Sequence, residues 1–499
     1  MSKKKCNDND IIVSSLGAST NGVTGSCWSC SYKKDDGTRG LVVIECGLSQ
    51  SEPTVDKQYN ANKNMIDGIG KDVVQSAEYV LLGHAHVWQK TVDHLGNLSI
   101  FNEDNGFSGR ILASKETIEI GKELIKDSVY IHSRNIEYLK SKGKKCLPLY
   151  SEKQMYNMFD HMEYVQVNEK IKLDNNLTIE FKYNSHTLGS TNITLIFKKP
   201  NNSIKTIVYS SDMGSNMNKD VSYYLQDQDI PKSCNLFISE ATYCDSKRQI
   251  SKKLVKKERE DLKNTIKQAI MNKQRVLLPT FAFSRSQLLL TYLYEWFHDE
   301  EWFRDTPIIV DGVLMNNINS VYRRVLQGED KKLFEDVMNW KNVRFNKSYD
   351  STMAFLSERT PSIILASSGF LENGRIITYL PIILGCSKDI IITTGYCGGN
   401  NPSSMGFKLL NAEQKTITVD KKVILKRAEI KSYSSFSSHI SHDELLELWS
   451  QLNCDKILVH HSDEKGKMEF IAEANDYLIS KNKTTKIVPV NKGANQFRL

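Results

Sequence analysis

Between Arg275 and Gly395 the chain repeats one pattern: a short, unbroken apolar run, then a helical one. The runs are RVLLPTF (Arg275–Phe281), PIIVD (Pro307–Asp311), SIILAS (Ser362–Ser367) and DIIITTG (Asp389–Gly395), with helical periodicity at Ser286–Trp296, Asn316–Val325 and Gly374–Ile383. A strand without polar alternation is buried on both faces. Such strands separated by helices predict a parallel sheet covered on both sides, a doubly wound layer. The first 240 residues read differently. Apolar runs bounded by turn residues fall at Ile11–Leu16, Leu41–Cys46, Tyr79–Leu82, Leu177–Tyr183, Ile193–Phe197 and Thr206–Tyr209, and the helical pattern lies at Lys115–Tyr138. After Lys431 come a helix (Asp443–Gln451), a strand (Lys456–His460) and a tail. The expected organisation is an α/β layer inserted into a strand-rich domain, divided as residues 1–245, 246–433 and 434–499. No repeat at solenoid periods and no low-complexity linker interrupts it.

Composition narrows the class. At 499 residues, with 40% hydrophobic and 25% charged, the chain exceeds one compact core and is neither disordered nor collagen-like. No window approaches the eighteen apolar residues of a membrane span, and MSKKKCNDNDII lacks the apolar stretch of a secretory signal. Ten cysteines with one CxxC pair, Cys27 and Cys30, fit neither a disulfide framework nor a two-knuckle zinc ribbon, so a reducing cytoplasm is expected. Cys27 and Cys30, on an alternating strand around Trp28, are expected in the core. The net charge of +7 permits a polyanionic partner without requiring one. The basic stretch Ser251–Glu260 reads as the solvated face of a helix.

The histidines are unevenly placed. Three of eleven lie in GHAHVWQKTVDHLGNL, immediately after the apolar run YVLLG. In extended backbone His84 and His86 project to the same side, so both imidazoles can reach one cation. Asp93 and His94 add a carboxylate and a third imidazole for a second cation nearby. His186, Asp212 and His460 each stand where an apolar strand ends. Several strand ends carrying His or Asp suggest convergence on a metal pocket, with Asp212 as the bridging donor because a carboxylate has two oxygens. His132, His161 and His298 have no such partners by spacing and read as surface residues.

At this point the motifs resemble a known family. GASTNGVTGSC, VIECGLSQ, GHAH…VDHLGNL, SHTLGS and YSSDMGSN look like the successive motifs of the metallo-β-lactamase fold. ISEATYCD, LLPTFAFSRSQ, SSGFLENGRI, FSSHISHDELL and ILVHH look like those of its β-CASP nucleic-acid-processing branch, in order from about residue 11 to about residue 470. The likeness is to bacterial and archaeal RNA-processing members and to the eukaryotic pre-mRNA 3′-end endonuclease. It implies an αββα metallo-β-lactamase sandwich with an inserted parallel α/β β-CASP domain. It also implies two zinc ions: the first on His84, His86 and His186, with Asp212 bridging, and the second on Asp93, His94 and His460. Glu240 matches the acidic β-CASP motif and His439 of FSSH the catalytic-histidine motif, beside Ser437 and Ser438 as RNA contacts. A histidine at position 460 goes with RNA-processing members, so single-stranded RNA is the expected partner. A homodimer is compatible with this reading.

Two departures stand out. The family's HxHxDH is interrupted here by VWQKT, read as a five-residue insertion that bulges out and leaves Asp93 and His94 as ligands. Glu45 stands where the family usually has aspartate, in a supporting position. His461 takes a position that is usually glycine. Phosphodiester hydrolysis needs an activated water, neutralisation of charge at phosphorus and a proton for the leaving oxygen. The zinc ions meet the first two needs, with Asp212 orienting the water, and His439, oriented by Glu240, meets the third. Arg285 and Arg375, at strand-to-helix turns, suit phosphate contacts or ion pairs equally. Gly-rich CGGNNPSSMG lacks a P-loop's GK[ST] and reads as a surface turn. The competing readings are an active zinc ribonuclease, a β-CASP pseudo-nuclease that binds RNA or scaffolds a complex, and a small-molecule metallo-hydrolase. The retained His186, Asp212, His439 and His460 favour the first.

Overall fold

The computed structural model describes residues 10–16, 25–48, 54–69, 71–85, 87–88, 91–92, 107–146, 148–216, 222–244, 251–346, 348–399, 401–462, 464–490 and 495–499. The chain divides into two compact units: residues 1–216, 225–249 and 438–499 in one, residues 217–224 and 250–437 in the other.

The first unit contains two seven-stranded sheets. One runs in the order Asn495–Arg498, Ile12–Ser15, Trp28–Lys33, Arg39–Ile44, Tyr79–Leu81, Arg110–Ala113, Met162–Tyr164. The other runs Lys486–Pro489, Asn453–His460, Ser233–Glu240, Ile204–Tyr209, Thr191–Lys198, Leu177–Tyr183, Lys170–Lys172. Alternate residues of facing strands fill the space between them: Val13, Trp28, Val42, Ile44, Leu81 and Leu112 meet Ile179, Phe181, Leu195, Ile207, Leu236, Ile238 and Leu458. Burying each such side chain contributes roughly 1.5–3 kcal/mol, which is why the period-two pattern fixes the register of both sheets. The outer face of the second sheet, with Val208, Phe237, Ile457 and Val459, is covered by Leu445, Leu446, Trp449, Phe470 and Ile471 of the helices His442–Gln451 and Glu464–Ser480. The helix Lys115–Ser141, N-capped by Ser114, belongs to the same unit. This is the αββα sandwich expected from the motifs.

The second unit is built on a six-stranded, all-parallel sheet in the order Val343–Asn346, Ile308–Asp311, Ser362–Ala366, Arg275–Pro279, Ile390–Thr394, Glu429–Tyr433. Its four central strands coincide with the unbroken apolar runs, and Leu277, Ile309, Ile364 and Ile391 pack against Ile376, Tyr379, Leu380 and Ile383 of the helix Ile376–Leu384. The helix Lys252–Met271 buries Val255, Leu262, Ile266 and Ile270 and leaves Lys252, Lys253, Lys256 and Lys257 in solvent, so the basic stretch is a solvated face. Cys27 and Cys30 are buried. His132, expected at the surface, is also buried: it lies on the inward stripe of its helix, edge-on to Tyr150. No helix among the described residues is long and apolar enough to cross a membrane.

Candidate metal centre and acid–base pair

The strands Ile204–Tyr209, Ser233–Glu240 and Asn453–His460 are parallel neighbours, so their carboxyl ends lie side by side. Asp212 follows the first, Glu240 ends the second, and His460 ends the third and is followed by His461. His84 and His186 follow Tyr79–Leu81 and Leu177–Tyr183 by three residues each. Open sheets gather functional groups at carboxyl ends because there the chain leaves its buried ladder and side chains can converge. The turns are strained. Glu45, Ser185, Ser211 and His461 hold φ of 55°, 60°, 54° and 51°, a left-handed region costing a non-glycine residue on the order of 1 kcal/mol or more. Such outliers cluster where a function requires a particular direction of side chain.

Asn184 ties two of these turns together. Its Nδ2 donates to the carbonyls of Ser210 (3.0 Å) and Asp212 (2.8 Å), and its Oδ1 accepts from Ser190 Oγ (2.6 Å). Gly214 must be glycine here, since a Cβ would sit 2.1 Å from the carbonyl oxygen of Ser185. The result is a buried cluster in which His84, His186 and Asp212 place donor atoms within 4.8 Å of one another. Asp212 Oδ2 lies 3.3 Å from His84 Nε2 and 3.8 Å from His186 Nε2, and Oδ1 lies 3.3 Å from His461 Nδ1. A second group, Asp212, Glu240 and His461, meets the same distance criterion. His84 is oriented from behind: its Nδ1 is 2.7 Å from Ser211 Oγ, which lies 3.4 Å from Glu45 Oε1, and Glu45 Oε1 accepts the Gly83 N–H at 2.9 Å. This leaves Nε2 facing Asp212. Two imidazoles and a carboxylate, buried together, are the donor set that zinc prefers, so these residues fit a metal ion.

Next to them stands an acid–base pair. The segment carrying His439 docks as an isolated antiparallel bridge to Gly214, with Ile440 N–H donating to Met213 O at 2.8 Å. His439 Nδ1 lies 3.3 Å from both oxygens of the fully buried Glu240. The ring is flanked by His186 at 4.5 Å and Tyr243 at 5.6 Å between centroids. Glu240 is held by the N–H of Met213 and by the N–H and hydroxyl of Thr242. Burial alone would lower the pKa of His439, but the Glu240 and Asp212 carboxylates outweigh it and raise it to about 9. Burial likewise opposes ionisation of Asp212, yet His461, His84 and His439 hold it well below the usual carboxylate range. Burial, with His461, pushes His460 down to about 3, against the opposing charge of Asp212.

Set beside the expectations, the structure brings His84, His186, Asp212, Glu240 and His439 together. His86, Asp93 and His94 lie outside the described residues. Of the insertion, Val87–Trp88 pairs with Thr91–Val92 as a short antiparallel hairpin. His460 shares the inward face of its strand with Leu458, and its ring packs edge-on to Trp28 and tilted on Tyr209, each at 5.4 Å. The residue that reaches Asp212 is its neighbour His461, redirected by its left-handed backbone. Arg285 donates to the Thr394 carbonyl at 2.7 Å, and Arg375 lies 3.4 Å from the buried Asp311 carboxylate. Ser437 is buried and Ser438 half-buried. Sequence reasoning missed Thr242, Ser211 and Asn184. The first two lie inside the motifs SEATY and YSSD, so adjacency to the motif was the available signal.

Residues 286–405 match the Beta-Casp domain, and residues 423–488 match the family described as Zn-dependent metallo-hydrolase RNA specificity domain. The chain is 26% identical over 431 residues to a ribonuclease of Thermus thermophilus, covering 85% of this chain and 88% of that protein. It is 25% identical over 397 residues to the endoribonuclease ysh1 of Schizosaccharomyces pombe, covering 78% of this chain and 48% of that one. A crystal structure of a protein of unknown function from Enterococcus faecalis superposes with a TM-score of 0.53 at 13% identity, over 98% of this chain and 100% of that one, a likeness of fold. Motifs, sandwich, inserted parallel sheet and domain matches together indicate a metallo-β-lactamase fold with a Beta-Casp insertion, like that of the β-CASP hydrolases.

Proposed function

We propose that this protein is a zinc-dependent ribonuclease that hydrolyses phosphodiester bonds of single-stranded RNA. The observation that carries the reading is the buried His84–His186–Asp212 cluster standing directly beside the His439–Glu240 pair. The RNA specificity domain matched at residues 423–488 and the ribonuclease names of the relatives support the choice of polymer.

His84, His186 and Asp212 would hold zinc, with a second ion on the His461 side of Asp212. Zinc bound there supplies a water of lowered pKa and Lewis-acid neutralisation of charge at phosphorus. The protein supplies the rest. Asp212 presents Oδ2 to His84 and His186 and Oδ1 to His461, so its carboxylate can orient an attacking water by accepting a hydrogen bond from it. His439 carries a proton at neutral pH, since its pKa is raised to about 9. With Nδ1 facing Glu240, Nε2 would deliver that proton to the leaving oxygen. Thr242 and the Met213 N–H keep Glu240 in place during the transfer.

The test is cleavage of end-labelled single-stranded RNA and of DNA of the same sequence by zinc-loaded protein. RNA cleavage well ahead of DNA, abolished by a chelator and weakened by rising salt, is expected. Equal cleavage of both polymers would remove the RNA assignment. Absence of cleavage with full RNA binding would instead favour an RNA-binding pseudo-nuclease.

A further inference from the structure

We infer that His461 is the histidine with which this chain holds a second divalent transition-metal ion beside Asp212, a role the motif likeness gives to His460. The inference rests on the zinc-hydrolase reading above. Asp212 presents Oδ2 to His84 and His186 and Oδ1 to His461, the arrangement of a carboxylate positioned between two cations. Asp212, Glu240 and His461 are all buried, with donor atoms within 4.8 Å of one another, and His461 is 2% exposed.

Backbone geometry explains why the neighbour and not His460 arrives there. His460 is the last residue of its strand and continues the inward face of Leu458. Trp28 and Tyr209 hold its ring between the sheets, so turning it toward Asp212 would leave a void in close-packed core. His461 leaves the strand at φ 51°, and this turn points its ring to Asp212 and to Thr242 Oγ1, 3.0 Å from Nδ1. One observation pulls the other way: neither ring nitrogen of the buried His460 has a hydrogen-bond partner among the described residues, a demand that a metal would satisfy.

The experiment measures metal, not turnover. Full-length protein, His461→Ala and His460→Phe are stripped with chelator, re-equilibrated with Zn²⁺ or Co²⁺ and freed of excess. Bound metal is then measured by elemental analysis and by the visible Co²⁺ spectrum. The expected result is about two ions per chain in the parent and in His460→Phe, and about one in His461→Ala, with one Co²⁺ band set lost. His460→Gln, which keeps a polar group of similar length, replaces His460→Phe if that variant does not fold. Two ions retained in His461→Ala overturns the inference, as does loss of an ion in the His460 variants. A parent that binds one ion also overturns it while leaving the His84–His186–Asp212 site standing. A parent that binds none removes the zinc reading itself.

Discussion

Asp212 Oδ2 lies 3.3 Å from His84 Nε2 while its other oxygen faces away from that ring, toward His461. One carboxylate thus joins the two halves of the site, and both halves depend on its charge. Its burial is nearly complete, so an uncharged substitute cannot be compensated by water.

Asp212→Asn keeps the shape and removes the charge. Zinc affinity should fall by about 100-fold or more, since loss of even an outer partner of a metal ligand costs about 10–100-fold. A competition titration against a chromophoric chelator measures it. Affinity within threefold of the parent would show that Asp212 is not a ligand.

The β-CASP sheet was legible because its strands are continuous apolar runs, and such runs admit few alternatives once helices separate them. The sandwich was legible in outline: Leu177–Tyr183 begins and ends as expected because each inward residue has an apolar partner across the core. The site was legible only to the level of motifs. Period-two reasoning says which face a strand residue takes, and correctly applied it sends His460 inward with Leu458. It says nothing of a residue just past the strand end, where a single left-handed φ at His461 decides which ring meets Asp212. His132 was missed for a related reason: helical spacing puts it in line with Ser128 and Ile136, but a lone histidine gives no signal that its stripe faces inward.

Glu45 stands behind His84, 3.9 Å from its Nδ1, and positions it. It accepts the Gly83 N–H and lies against Ser211, which in turn meets His84. A Cβ at residue 83 would approach Glu45 Oε1 to 2.9 Å and Ser211 Oγ to 2.4 Å, so the three residues interlock without slack. Glu45→Ala should weaken zinc binding by about 10–100-fold and slow RNA cleavage in proportion. Glu45→Gln, which can still accept from Gly83, should recover much of the loss. If Glu45→Ala loses stability but binds zinc normally, the residue is structural alone.

His439 should separate chemistry from binding. It lies beside His186 and is paired to Glu240. Changing it to alanine should lower turnover by about 10²–10⁴-fold, the usual worth of a general acid, with zinc content and RNA affinity held within about twofold. Single-turnover cleavage alongside elemental analysis makes the comparison. A simultaneous loss of zinc would reassign His439 to the metal shell.

The last prediction concerns stability. His132 is buried in the helix Lys115–Ser141, its Nδ1 without a hydrogen-bond partner among the described residues, and burial lowers its pKa to about 4 from 6.5. The folded protein therefore resists protonation that the unfolded chain accepts. The sign follows: as pH falls below 6.5 the unfolded state binds the proton first, so stability is lost between pH 6.5 and about 4 and changes little from this group outside that window. A shift of this size corresponds to about 3 kcal/mol at most, at about 1.4 kcal/mol per unit. Asp127, whose pKa burial raises to about 6, works in the opposite direction: its contribution is present at low pH and is lost as pH rises toward 6. Because Asp127 is common to parent and variant, its effect cancels in their difference. In His132→Leu the acid-sensitive term disappears, and the unfilled demand of Nδ1 goes with it. Urea unfolding of both proteins at pH 7.5 and pH 4.5 should show the parent losing about 2–3 kcal/mol more than the variant on acidification. Equal losses would place the acid sensitivity of this protein elsewhere.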